Sequence, residues 1–128
     1  MTIIKWLNNN TKSLKGKTVA LTGSTGGIGK ELVRYLVLLD ANIILLDRNK
    51  ERSEKYKLEY PCANIECITL DLIDINNVKE VTNTLIKRDI YAIIHNAGAY
   101  KIPTYKCQTN YINTFQINFL SPYYMIKN

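Results

Sequence analysis

Among its 128 residues the chain has only one histidine and three cysteines, and that scarcity closes off a class of protein. Cys62, Cys67 and Cys107 are odd in number and have no CxxC spacing. With only His95 to add to them, no zinc site is expected, and the plain reading is three reduced, packed thiols in a cytosolic protein. There is no block of like charge and no Gly/Ser repeat, so disorder is not expected either. The opening residues Ile3, Ile4, Trp6 and Leu7 are interrupted by Lys5 and ended by Asn8 to Asn10, with no small-residue cleavage site after them. That pattern is neither a secretory signal nor a membrane span. It leads to the expectation of a cytoplasmic protein whose residues 1–16 form an extension, its apolar residues a short turn packed on the domain.

What is present is enough apolar residue to bury one core. The net charge of +6 is spread along the chain, with a mild excess at Lys5, Lys12, Lys15 and Lys17. Scattered lysine is usually a solvated surface, so nucleic acid is not an expected partner, whereas an anionic dinucleotide suits the field. From Lys17 onward, short β-branched or leucine-rich runs alternate with segments whose apolar residues recur every three or four positions, the sign of βαβ units around a parallel sheet. Strands are expected over Thr18–Thr22, Asn42–Asp47, Ile65–Leu70 and Tyr91–His95. Helices are expected over Gly29–Leu39, over Lys50–Tyr60 before Pro61, along the stripe Ile75, Val78, Val81 and Leu85, and from about Asn110 with Ile112, Phe115 and Phe119. The expected fold class is therefore α/β, with residues 17–128 forming the N-terminal half of a doubly wound sheet that normally carries about six strands.

The strongest local signal is Thr22-Gly23-Ser24-Thr25-Gly26-Gly27-Ile28-Gly29, between an expected strand and an expected helix. Glycine serves where the chain turns sharply and where backbone must approach a pyrophosphate without a Cβ in the way. The helix that follows offers free N–H groups and the positive end of a dipole. A glycine cluster alone also fits an ordinary tight turn. The context favours a ligand site, because Asp47 ends the second strand 47 − 29 = 18 residues after the last glycine, near the spacing at which an acidic residue reaches an adenosine ribose.

The spacing of Gly23, Gly27 and Gly29 behind Thr22 resembles the TGxxxGxG motif of the short-chain dehydrogenase/reductase family, and the run from Gly16 to Leu36 is similar to its retinol-dehydrogenase-like branch. Three further matches follow in the family's order. Asp71 with Leu72 resembles the aspartate site near the adenine ring. Asn96-Ala97-Gly98 resembles the NAG motif that supports the sheet and lines the cofactor cleft. Asn118 stands where the family keeps the asparagine of its catalytic tetrad. Each has a local alternative: Asp71 a helix cap, Asn96 a turn former, Asn118 a polar residue on a helix face. The resemblance implies a nicotinamide cofactor, NAD or NADP. Asp47 would pair with the ribose hydroxyls of NAD and Arg48 beside it would accept the 2′-phosphate of NADP, with NAD favoured by Asp47.

The same resemblance implies hydride transfer between that cofactor and an alcohol or carbonyl substrate, and it asks for a serine and a YxxxK pair after the tetrad asparagine. Tyr123 and Lys127 have that spacing and share a helix face, but they follow Asn118 too closely to fill the family's place. Tyr123, Tyr124 and Met125 read as packing residues, Ser121 before Pro122 as a turn or kink residue, and His95 as a packed or hydrogen-bonded histidine. The expectation is a fragment that is inactive alone, whose full-length form would take the substrate and allow a homo-oligomer. The alternative is a non-catalytic dinucleotide-binding remnant. A third reading is a polypeptide with no stable fold, in which a bare Ala92-Ile93-Ile94 edge and exposed Phe115, Phe119 and Met125 invite aggregation.

Overall fold

The computed structural model describes residues 2–128. The four β-branched and leucine-rich runs become strands β1 (Thr18–Thr22), β2 (Asn42–Asp47), β3 (Ile65–Thr69) and β4 (Ile90–His95), within a residue of their expected bounds. They form one parallel sheet in the order β3-β2-β1-β4. At its C-terminal edge Thr22 is level with Leu46 on one side and His95 on the other. The chain builds outward from β1 through β2 to β3, then returns to the other side of β1. A crevice opens at that reversal, outside the carboxyl ends of the strands.

Both faces of the sheet are covered, which is why the central strands read as continuous apolar runs. Side chains alternate across it. Val19, Leu21, Ile43 and Leu45 pack with Val33 and Leu36 of α2 (Gly27–Leu38) and Tyr56 of α3 (Lys50–Glu59). Ala20, Ile44 and Leu46 pack on the other face with Val78, Val81 and Leu85 of α4 (Ile75–Ile86). Local chemistry sets the helix starts: the Asn49 side chain accepts from Arg52 N–H at the head of α3, and that of Asp74 accepts from Asn76 and Asn77 N–H at the head of α4. The cap of α4 is thus Asp74 and not Asp71.

Four expectations are corrected. The opening segment is a helix, α1 (Ile3–Asn10), in which no residue is buried, and not a turn packed on the domain. Its eight residues include three asparagines that leave its apolar residues too few to reach the core. Cys62 is exposed while Cys67 and Cys107 are buried, because Cys62 lies in the turn that Pro61 starts after α3. The last helical stretch starts at Asn113, not Asn110. Asn110 has a φ of 69° and its turn is closed by Cys107 N–H to the Tyr111 carbonyl, so the helix begins only after it. Met125 is buried against the sheet with Leu85, and Tyr123 is exposed.

That last stretch has three parts: α5 (Asn113–Phe115), a π-helical turn (Gln116–Leu120) and α6 (Ser121–Lys127). Pro122 stands in the first turn of α6. It has no N–H to give and its ring crowds the preceding carbonyls, and the wide turn ahead of it accommodates both. Ser121 opens α6 at the change from the wide turn and is no turn residue. It is fully buried and its Oγ donates to the Leu72 carbonyl at 2.7 Å. On the outer face Tyr111, Phe115, Phe119 and Tyr123 form a column with ring centroids 5.4, 5.2 and 5.8 Å apart. Its rings are about half exposed and pack on each other, not in the core.

This division yields a contrast in stability. Leu45→Ala, which empties a wholly buried position between two central neighbours, is expected to cost about 2–5 kcal/mol. Phe119→Ala on the outer column is expected to cost within about 1 kcal/mol, and urea unfolding midpoints of the two variants measure the difference.

Candidate functional site

The loop between β1 and α2 is shaped by two close approaches that only glycine permits. Gly23 has a φ of +71°, and a Cβ there would lie 2.8 Å from the Ala97 Cα. A Cβ on Gly29 would lie 2.0 Å from the Gly23 carbonyl oxygen, so α2 sits directly on the loop. Gly26 and Gly27 are different. A Cβ on Gly27 would meet nothing within 4 Å, and the space in front of both is open to solvent. No side chain caps the start of α2 at Gly26, so its first N–H groups and the positive end of its dipole face that open space.

Beneath the loop lies a buried polar knot. Ser24 is fully buried, and its N–H and Oγ both donate to the Asp47 carboxylate, at 2.8 and 2.6 Å. The Tyr56 hydroxyl of α3 donates to the Ser24 carbonyl at 2.7 Å. Burial pushes the Asp47 carboxyl up from its ordinary range, against the pull of the two bonds from Ser24. The Asp47 carboxylate is thus turned under the glycine loop and held there. Two arginines flank it: Arg48 and Arg52, both exposed, line the same end of the crevice.

On the other side of β1, Thr22 Oγ1 accepts from the N–H groups of Asn96 and Ala97 at 3.1 and 3.0 Å, and Asn96 Nδ2 donates to the Gly23 carbonyl at 2.9 Å. The end of β4 is thereby tied to the glycine loop. Asn118, in the π-helical turn, grips Ala99 at both ends: it accepts from the Ala99 N–H at 2.7 Å and donates to its carbonyl at 2.8 Å. Asp71 folds back on its own turn, accepting from Ile73 N–H at 3.1 Å. Gln116, fully buried, donates to the Ile73 carbonyl and accepts from Thr109.

These elements enclose a crevice of about 910 Å³. Gly23, Thr25, Gly26, Gly27, Ile28, Gly29, Asp47, Arg48, Asp71, Leu72, Asn96, Ala97 and Gly98 all line it. Two of the residues singled out in the sequence do not: Ser24 is turned inward to Asp47, and Asn118 stands behind Ala99. Sequence reasoning missed Arg52, in the first turn of α3, and the far wall made by Tyr100, Tyr105, Asn113 and Ile117. Asn113 is fully buried, its Nδ2 donating to the Pro103 carbonyl at 2.9 Å. No motif marks that wall, because its loop is organised by long-range contacts. Tyr123 and Lys127 lie off the crevice, the ammonium 5.9 Å from the ring centroid.

The family model for short chain dehydrogenases matches residues 17–128. The chain belongs to the short chain dehydrogenase family. This is an oxidoreductase family that binds nicotinamide cofactors. An uncharacterized oxidoreductase of Schizosaccharomyces pombe is 30% identical over an alignment of 125 residues that covers 93% of this chain and 37% of that protein. The chain spans little more than a third of that relative's length. Among solved structures, a short-chain dehydrogenase/reductase from Brucella melitensis, described as a glucose/ribitol dehydrogenase, aligns with a TM-score of 0.73 at 22% identity, covering 91% of this chain and 52% of its own. A blue fluorescent protein from a metagenomic library, solved in complex with NADPH, aligns with a TM-score of 0.70 at 22% identity, covering 91% and 51%. These two likenesses establish the shared fold.

In this short chain dehydrogenase chain His95 ends β4, and neither ring nitrogen has a hydrogen-bond partner among the described residues. It is packed, not hydrogen-bonded, and burial holds its pKa below the ordinary 6.5. The unfolded chain therefore takes up a proton at a higher pH than the folded one. The contribution to stability is complete above the ordinary imidazole pKa and is lost as pH falls below it toward the depressed folded value. Thermal midpoints at pH 7.5 and 5.5 are expected to drop further for the native chain than for His95→Gln. Gly29→Ala is expected to distort the loop against the Gly23 carbonyl, lowering the midpoint at both pH values.

Proposed function

We propose that the crevice holds the pyrophosphate and adenosine of a nicotinamide dinucleotide, and that these residues form the cofactor half of an oxidoreductase acting on an alcohol or carbonyl compound. One observation carries this reading. The start of α2 has no side-chain cap and is fronted by Gly26 and Gly27, both exposed, with nothing within 4 Å of a Cβ placed on Gly27, the arrangement a pyrophosphate requires. In this reading Gly26, Gly27 and Ile28 present their N–H groups to the pyrophosphate. Gly23 and Gly29 shape the loop, Asp71 and Leu72 border the adenine, and Asn96 to Gly98 form the floor toward the nicotinamide. Asn118 acts as a positioning residue that fixes the floor through Ala99. When bound, the cofactor supplies the hydride acceptor or donor.

Asp47 was the reason to favour NAD, and its engagement with Ser24 weakens that reason. Both its oxygens already accept strong bonds under the loop, whereas Arg48 and Arg52 stand exposed at the ribose end of the crevice. Two guanidinium groups suit a 2′-phosphate better than they suit a pair of hydroxyls, so the reading extends to NADP as the preferred cofactor. No lysine and no serine lines the crevice among the described residues. These 128 residues are accordingly expected to bind cofactor without oxidising an alcohol by themselves.

Titration followed by nicotinamide fluorescence or calorimetry tests all three statements. NADPH is expected to bind about tenfold more tightly than NADH, the worth of one charge-assisted phosphate contact, and Arg48→Ala is expected to erase the difference. Equal binding of the two, unaltered in Arg48→Ala, would refute the preference. No binding of either would refute the site, and turnover of an alcohol would refute binding without catalysis.

A further inference from the structure

The first helix is the part of the chain that neither the fold nor the crevice uses. In α1 (Ile3–Asn10) no residue is buried, and Ile3, Ile4 and Trp6 are 58, 45 and 50% exposed. At about 100° per residue, Trp6, Ile3, Leu7 and Ile4 fall within an arc of roughly 160°, interrupted only by Asn10 in the last turn. Lys5 and Asn9 lie opposite. The helix is a complete structural unit, with Thr2 Oγ1 accepting from Lys5 N–H at its head and the Thr11 N–H and hydroxyl both donating to the Leu7 carbonyl at its foot. It is amphipathic, yet its apolar side meets no core.

Charge indicates what could cover it. The chain has no aspartate or glutamate before Glu31, while Lys5, Lys12, Lys15, Lys17 and Lys30 all precede that residue. Lys12 and Lys15 are exposed in the segment that leads from α1 into the sheet. A run of lysines with no carboxylate in the same stretch, offset in the fold by the exposed Asp40 next to Leu39, stands beside a tryptophan and aliphatic side chains and combines the two attractions that hold a helix in the headgroup layer of a membrane. A protein partner fits less well, since the cores of such interfaces are depleted in lysine. Nucleic acid has no use for Ile3, Ile4 and Leu7. Spanning is excluded for these eight residues, since a transmembrane helix needs about twenty; among the described residues no helix is long and apolar enough to cross.

We propose that α1 and the lysines after it form an interfacial anchor for an anionic lipid surface, with Trp6, Ile3, Leu7 and Ile4 entering the headgroup layer and Lys12 and Lys15 pairing with lipid phosphates and carboxylates. The attachment leaves the crevice free. Leu14 N–H bonds the Leu39 carbonyl at 2.7 Å, so the segment joins the body at the foot of α2, whereas the glycine loop lies at its head. Neither attraction is large alone, because four apolar side chains bury little area and lysine attraction fades within a Debye length. Both together are required.

Trp6 is the only tryptophan in the chain, so its emission reports on the helix without labelling. The full chain is mixed with unilamellar vesicles of phosphatidylcholine alone or of phosphatidylcholine with phosphatidylserine, and vesicle-bound protein is measured by sedimentation in parallel. With phosphatidylserine present, the emission is expected to shift to the blue and the protein to sediment, and both effects are expected to vanish in high salt. Lys12→Glu/Lys15→Glu is expected to lower the partition constant at least tenfold, at about 1 kcal/mol per lysine, and Ile4→Asp to abolish the shift. These positions are exposed, so unchanged circular dichroism and thermal midpoint are expected for the variants. Absence of a shift with phosphatidylserine vesicles would overturn the proposal. So would an equal shift on phosphatidylcholine alone, or a shift that appears without vesicles as protein concentration rises, which would mark the face as a contact between copies of the chain.

Discussion

The architecture depends on how closely three pieces of backbone meet at the end of β1. Gly29 brings α2 onto the Gly23 carbonyl, and Gly23 brings the loop onto Ala97 beyond β4. A side chain at either point would push a helix or a strand away. Because the contacts are backbone to backbone, they fix the entry of α2 and the end of β4 relative to one another. The open space before Gly26 and Gly27 is what remains when the other two glycines have drawn everything else inward.

The buried and half-buried polar groups around this junction are arranged to keep it shut. Thr22, Asn96, Ser24, Asp47 and Tyr56 form two latches, one from each side of β1, and each is supplied by a different element of the chain. An unpartnered polar group in such a place is costly. The latches therefore hold each other in register. Asp47 shows the consequence for chemistry: a carboxylate that spacing alone directs to the crevice is directed by its neighbours to the glycine loop, and the charges beside it that line the crevice are Arg48 and Arg52, with Asp71 further along. Electrostatics at the site is set by which groups are already engaged.

The C-terminal stretch has a similar logic. The chain has Pro122 where a plain helix would run, and a π-helical turn ahead of it leaves Gln116 and Ser121 buried and aimed at the backbone of Leu72 and Ile73. The same turn carries Asn118 to Ala99. Packing on the inside and the grip on the loop are thus two faces of one irregular turn, while the rings of Tyr111, Phe115, Phe119 and Tyr123 are left to stack outside.

Periodicity in the sequence determined the four strands, the helices between them and the placing of the glycine loop, because alternation and helical repeats are local and each segment carries its own. The spacing of Gly23, Gly27 and Gly29, with Asp47, Asp71 and Asn96 in order after them, determined the family as well. Local signals failed where one segment answers to another. Ser24 and Asp47 are twenty-three positions apart, so nothing near either tells that the hydroxyl turns inward and takes the carboxylate with it. The crevice wall around Tyr105 and Asn113 follows from contacts that close a loop without a motif. The apolar residues of α1 read in the sequence as a short turn packed on the domain, and only the tertiary structure decided that they form a helix with no place in the core, since a burial is a property of what stands opposite and not of the residues themselves.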